Sequence, residues 1–173
     1  MIRKAVLQDI DQIENSYTEL LLYEKDHVAY TVWKLGVYPT QQTALQALQE
    51  DTLYVMEENG EICASIIVNN IQPDEYKKIK WKYQVKNHEV LVIHLLCVRP
   101  SCAGRGIGKA MVQFVINKAK QENYQAVRLD TGLQNKPAIA LYTKLGFELA
   151  GTTSMSIGGI IAHDHHLFFE IKI

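Results

Sequence analysis

Cysteine is scarce and unpatterned: only Cys63, Cys97 and Cys102 occur in 173 residues, an odd number with no C-x-x-C spacing. Neither a disulfide framework nor a zinc motif is expected from them, and in apolar strand-like surroundings a free cysteine is a small hydrophobe. Charge of one sign is also lacking. The 18 Lys and Arg residues face 19 Asp and Glu, so no global basic field points to nucleic acid or to a membrane surface. No apolar run approaches the roughly 20 residues that would span a bilayer. The start, Met1-Ile2-Arg3-Lys4, lacks the apolar core of a signal peptide. Repeats and low-complexity tracts are absent. What remains is ordinary for a globular protein, 47% apolar and 21% charged. A single domain over residues 1–173, located in the cytoplasm, is the expectation.

Periodicity supplies the elements. Ile2 to Val6 reads as a short strand. From Gln8 to about Tyr23, Ile10, Ile13, Tyr17, Leu20 and Leu21 recur at helical spacing. Asp26 to Tyr38 is aromatic and irregular, and Thr40 can cap a second helix through Leu45 and Leu48. Thr52 to Glu57 and Glu61 to Ile71 flank Asn59-Gly60, a hairpin signal. Gln72 to His88 is polar and Lys-rich, mostly loop. Val90 to Val98 has the apolar density of a strand buried on both faces. Gly106 to about Asn123 is a helix with Ile107, Ala110, Met111, Phe114 and Val115 on its buried stripe. Ala126 to Leu129 follows as a strand, which makes a parallel βαβ unit with a right-handed crossover. Asn135 can cap a helix with Pro137 in its first turn and Gly146 past its end. Phe147 to Thr153 and His165 to Ile173 are closing strands joined by Ser156 to Ala162. The class is α+β, a mixed sheet flanked by helices.

The chemistry is concentrated in Arg99-Pro-Ser-Cys-Ala-Gly-Arg-Gly-Ile-Gly-Lys109. Gly104, Gly106 and Gly108 lie between a buried strand and a long helix. Bare backbone N–H groups, the positive helix end, Arg105 and Lys109 together suit a pyrophosphate. A nucleoside-triphosphate loop would need a hydroxyl after Gly108-Lys109, where Ala110 stands, and a glycine at Ala103. A dinucleotide fingerprint would need glycine at Lys109. A glycine-rich connection without a ligand is the remaining alternative.

A second constellation is Asn135-Lys-Pro-Ala138-Ile-Ala-Leu141-Tyr142-Thr-Lys-Leu-Gly146-Phe147. Seven residues are nearly two turns, so Asn135, Ala138 and Tyr142 share one helix face. Small residues at 138 and 140 leave room beside it. These two segments resemble the signature blocks of the GNAT superfamily of N-acetyltransferases. Ala103-Gly-Arg-Gly106-Ile-Gly108 resembles its pyrophosphate loop, whose leading Gln or Arg is here Ala103. The second segment matches the family's N-x-x-A-x-x-L-Y-x-K-x-G-F at every specified position. Trp33-Lys-Leu-Gly-Val-Tyr-Pro39 also resembles bacterial members.

The resemblance implies a mostly antiparallel sheet of about seven strands around the parallel βαβ unit. It implies an enzyme moving an acetyl group directly from acetyl-CoA to a primary amine, of a small molecule or a protein N-terminus, with no metal and with a homodimer as a possible assembly. Pantetheine would pair with backbone at Leu96, Cys97 and Val98, and the phosphates would sit on Ala103, Gly104, Arg105, Gly106, Ile107, Gly108 and Lys109. Asn135 and Ala138 would flank the cofactor, and Tyr142 would protonate the leaving thiolate. Arg105 or Arg99 could compensate for Ala103. His94 is the candidate base, its ordinary pKa of about 6.5 suiting proton collection; the alternative is a hydrogen-bonded core histidine. His88 and Glu89 are weaker candidates, and Asp130 is expected to fix the loop after its strand. In His163-Asp-His-His166, strand alternation places His163 and His165 on one face as two possible ligands, with no third. Tyr30, Trp33, Tyr38, Trp81 and Tyr83 suggest an acceptor pocket of ring faces for an apolar or cationic amine. The alternative is a GNAT-like protein that senses acyl-CoA without turnover.

Overall fold

The computed structural model describes residues 1–173 and contains seven strands and four helices. The strands are β1 (Ile2–Lys4), β2 (Leu53–Glu58), β3 (Glu61–Asn69), β4 (Val90–Val98), β5 (Ala126–Gly132), β6 (Glu148–Ile157) and β7 (Ile161–Lys172). The helices are α1 (Ile10–Asp26), α2 (Gln41–Gln49), α3 (Ile107–Gln121) and α4 (Lys136–Lys144). One sheet runs β1-β2-β3-β4-β5-β7-β6. Every neighbouring pair is antiparallel except β4 and β5, which the α3 crossover makes parallel. The α+β class, the strand number and the central βαβ unit are those expected from the sequence. No helix is long and apolar enough to cross a membrane.

Alternation along the strands divides the core. Tyr54 and Met56 of β2, with Leu91, Ile93, Val127, Leu129 and Phe169, pack under α3 and α4. The intervening Leu53 and Val55, with Leu95 and Cys97, pack under α1 and α2 through Ile13, Tyr17, Ala44 and Ala47. Over the first half of β4 no helix covers that second face. The segment 70–89 covers it instead, with Tyr76 and Ile79 against Val90, Val92 and Phe168.

Several boundaries differ from the sequence reading. The connection expected over Ser156–Ala162 narrows to a turn at Gly158 to Ile160, where Gly158 and Gly159 supply positive φ at 59° and 70°, because β6 runs on to Ile157 and β7 begins at Ile161. β5 continues past Leu129 to Gly132, held there by β7 and no longer by β4.

Segment 70–89 is stapled down by a buried ion pair. Glu170, fully buried, accepts the backbone N–H of Lys82 at 2.6 Å and of Tyr83 at 3.2 Å. Its other oxygen faces Arg128 Nε at 3.4 Å. Arg128 also donates to Gln72 Oε1 at 2.8 Å and Tyr83 O at 2.9 Å, and lies 4.1 Å from the Trp81 ring centroid. Removing one partner of such a pair leaves a charge buried without compensation. Arg128→Ala should therefore destabilise the fold by about 3–5 kcal/mol, read as a lowered midpoint in urea unfolding.

Candidate active site

The parallel pair holds together for four residues only. Val90 to Ile93 pair with Ala126 to Leu129, and beyond that point no pairing joins β4 to β5. From Leu95 to Val98, β4 pairs with β3 alone, and Asp130 to Gly132 pair with β7 alone. The strands part into a cleft, opening a cavity of about 370 Å³. Ile93, His94, Leu95 and Leu96 line it from β4, and Asp130, Thr131 and Gly132 from β5. Asn135 and Tyr142 of α4, His166 of β7, Trp33 and Tyr38 complete the polar and aromatic part of the wall.

Two β-bulges aim the histidines. Ile67 pairs with Leu95 but Val68 pairs with Ile93, so His94 is an extra residue in β4. Thr153 pairs with His166 and Met155 with His163, so β7 carries one extra residue between them. The second bulge corrects the alternation reading of the His-rich segment. His163 and His166 come together, with ring centroids 4.8 Å apart, while His165 is exposed.

His94 Nε2 is 2.6 Å from Asn69 Oδ1, which also accepts the Ile71 N–H at 2.9 Å. An oxygen accepting from a backbone N–H fixes the amide orientation. His94 therefore donates through Nε2 and keeps its lone pair on Nδ1. Burial lowers its pKa below the ordinary 6.5, so the ring is neutral at pH 7. Tyr142 is 6% exposed, edge-on to Phe147 at 5.8 Å. Burial first, and then the Asp130 charge, raise its pKa above 10, so it enters any reaction as an acid with its proton in place. Asn135 Oδ1 accepts the Ala138 N–H at 3.3 Å, the predicted cap, and the residue also lines the cleft.

At the far end of β4 the glycine loop lies outside this cavity. Gly104 and Gly106 sit at φ 76° and 77°, which other residues rarely adopt. Six consecutive N–H groups, Gly104 to Lys109, have no acceptor within the protein, and the first helical bond in this stretch is Ala110 N–H to Gly106 O. Such a row at a helix N-terminus is a cradle for phosphate oxygens. Ala103 and Lys109 are exposed, Ile107 is buried in the core, and Gly108 brings α3 close to Val98 and Leu141. Neither arginine expected to compensate for Ala103 is free. Arg105 pairs with Glu58, and Arg99 is bound to Glu61 at 2.7 Å and Gln12 O at 3.1 Å. Lys109 is the basic side chain of the loop left unpaired. The Cys97 side chain points away from the cleft to Ser16 on α1, and burial pushes its thiol up to about 12, so only its backbone borders the cleft side.

The aromatic expectation is corrected in part. Trp33 and Tyr38 line the cavity with rings 6.3 Å apart, and Gly158 lies so close to the Tyr38 ring that a Cβ there would meet it at 2.4 Å. Trp81 and Tyr83 are elsewhere, committed to Tyr76 O with Arg128 and to Glu148 respectively. What the sequence reading missed is Asp130 with His166 and Tyr76. Asp130 accepts from Tyr76 OH at 2.9 Å and from His166 Nδ1 at 2.8 Å. Their long sequence separation leaves no local motif. The cysteines, which show no motif spacing in the sequence, are partly brought together by the fold: Cys63, Cys102 and Glu61 have their donor atoms within 4.8 Å of one another, away from the cleft.

The acetyltransferase (GNAT) family model matches residues 10–147. The chain belongs to that family. An uncharacterised N-acetyltransferase of Methanocaldococcus jannaschii is 34% identical over 104 residues, 60% of this chain and 42% of that protein. The chain thus spans less than half the length of this curated relative. Among solved structures, a GNAT-family acetyltransferase of Streptococcus agalactiae superposes with TM-score 0.82 at 21% identity, covering 100% of this chain and 95% of the other. A ribosomal-protein-alanine N-acetyltransferase of Brucella melitensis gives 0.70 at 16% identity, covering 100% and 99%. Both likenesses are of fold.

The capping contact of Asn135 can be tested by substitution. Asn135→Ala should lower stability by about 1 kcal/mol through loss of the cap, and Asn135→Asp should retain it, as read by thermal unfolding.

Proposed function

We propose that the protein is an acetyl-CoA-dependent N-acetyltransferase that moves the acetyl group to a primary amine in one ternary complex. The observation that carries this reading is that one strand, β4, runs from the cleft at His94 to Leu96 to the glycine loop that follows Val98. An edge of β4 released from β5 lies at one end and six unpartnered N–H groups at the other. A flexible chain ending in a pyrophosphate fits both, with pantetheine against Leu96, Cys97 and Val98 and the phosphates on residues 103–109. Asn135 and Ala138 flank the pantetheine arm. The charge of Lys109 assists the backbone donors.

In this reading a backbone N–H of β4 near Leu96 stabilises the oxyanion. Tyr142, kept protonated by its surroundings, gives its proton to the leaving thiolate. The acceptor reaches the acetyl group from the side of Trp33 and Tyr38. No Lys or Arg lines the cavity, and Asp130 is its one carboxylate. An ammonium group on an otherwise uncharged body suits such a wall, and an acceptor with a carboxylate or phosphate beside the amine does not. Both a small amine and a peptide N-terminus meet that condition.

The test is release of CoA thiol from acetyl-CoA in the presence of a panel of primary amines. Transfer should depend on the amine, and Tyr142→Phe should lower kcat by about 10²-fold with little change in acetyl-CoA affinity. Trp33→Ala should raise the acceptor KM and leave the acetyl-CoA KM alone; equal effects on both would remove Trp33 from the acceptor side. Acetyl-CoA binding without transfer to any amine would instead describe a sensor.

A further inference from the structure

A primary amine that attacks an acyl group must give up a proton, and the cleft contains a group built to receive it that the catalytic scheme above does not use. His166 is 4% exposed, and its Nε2 is shielded from solvent with no hydrogen-bond partner. A buried ring nitrogen without a partner is costly, of order 1–3 kcal/mol, unless something arrives to satisfy it. Its other nitrogen is not idle. Nδ1 lies 2.8 Å from Asp130 Oδ2, and Asp130 Oδ1 accepts the Tyr76 hydroxyl at 2.9 Å. An ionised carboxylate accepts only, so Nδ1 carries the hydrogen and Nε2 keeps the lone pair. Both His166 and Asp130 line the same cavity as Tyr142.

His94 is the less suited of the two histidines. It donates to a neutral amide oxygen, Asn69 Oδ1, so no carboxylate is hydrogen-bonded to the ring, and the through-space charges of Asp130 and Glu50 do not outweigh its burial. His166 has a carboxylate at that place, which both orients the ring and stabilises its protonated form. Tyr76 is fully buried between Trp81 and Phe168 and has no freedom to release Asp130. The support extends outward through Arg128 and Glu170, which fix the segment carrying Tyr76.

We infer that His166 is the proton acceptor for the attacking amine, with Asp130 and Tyr76 as its positioning residues. This rests on the transfer reading given above. As the nitrogen lone pair forms the N–C bond, the C–S pair leaves with the thiolate, which takes the Tyr142 proton. The acetylated nitrogen passes one proton to His166 Nε2, directly or through one water; the imidazolium then gives that proton to solvent and the Tyr142 phenolate takes one back, which returns both groups to their starting states. The titratable groups sharing this environment are Asp130 from β5, His163 from β7, His94 from β4, Tyr142 from α4, and Tyr38 and Tyr76 from the connecting segments.

The experiment is the pH profile of kcat/KM for acetyl transfer in the unaltered protein, His166→Gln, His94→Gln, Tyr76→Phe and the exposed control His165→Gln, with acetyl-CoA affinity measured for each. The unaltered protein should lose rate as pH falls and the base is protonated. His166→Gln should lower kcat by about 10²-fold or more, abolish that acid limb and leave acetyl-CoA affinity unchanged. Tyr76→Phe should shift the limb with a smaller loss, and His94→Gln and His165→Gln should keep it. Because a buried substitution can disturb folding, ¹⁵N spectra of the unaltered protein supply a second readout: His166 should be the Nδ1–H tautomer and His94 the Nε2–H tautomer. An Nε2–H tautomer at His166, or an acid limb that survives in His166→Gln and disappears in His94→Gln, would overturn the assignment while leaving the transfer reading intact. Absence of transfer by the unaltered protein to every amine would overturn both.

Discussion

Two parallel strands that pair for four residues and then diverge are the constraint on which everything else in this molecule depends. A sheet must satisfy the backbone groups of its interior strands, and an unpaired stretch in the middle of one is unfavourable unless something else can pair there. The fold sustains the gap because each strand has a second partner. β3 holds β4 as far as Val98, and β7 holds β5 as far as Gly132. The α3 crossover pins the two strands together before they part, and its N-terminus, at the end of β4, presents the row of free N–H groups. The cleft, the row of free N–H groups and the helix that carries Tyr142 thus follow from one topological choice.

The Trp33 and Tyr76 side of the cleft is assembled differently, from segments far apart in sequence held by buried polar contacts. Glu24 at the end of α1 accepts from the Tyr30 and Thr31 N–H groups at 3.1 and 3.0 Å and from Thr31 Oγ1 at 2.7 Å, which sets the path of the segment bearing Trp33. The Arg128–Glu170 pair does the same for segment 70–89. Such contacts specify geometry more than they stabilise, because ions removed from water recover little net energy on pairing. That trade suits a wall in which ring positions and nitrogen lone pairs must be fixed relative to the reacting atoms.

The parts legible in the sequence are those whose chemistry is local. The glycine loop, the Asn135 cap and the face shared by Asn135, Ala138 and Tyr142 each lie within about two helical turns, and the hydrophobic periods place them on a strand end and two helix starts. The illegible parts depend on register. A bulge at His94 and another between His163 and His166 change which side chains share a face, and no residue type announces either. The Tyr76, Asp130 and His166 contacts join three segments and leave no spacing to recognise. Trp81 and Tyr83 were expected at the pocket on composition alone, and they serve the Arg128 and Glu148 contacts because the 70–89 segment turns back over β5 and β7.

The central claim is that the opening between β4 and β5 and the loop after β4 form one acetyl-CoA site. Hydrogen–deuterium exchange of the protein with and without acetyl-CoA tests it most directly, because the amides of 104–109 have no partner in the unliganded chain and the edge of 94–98 that faces β5 has no strand against it. Exchange should slow together across residues 94–98 and 104–109 on adding acetyl-CoA, and should not change on adding ATP. Acetyl-CoA that binds while leaving both stretches unprotected, or that fails to bind, would contradict the account.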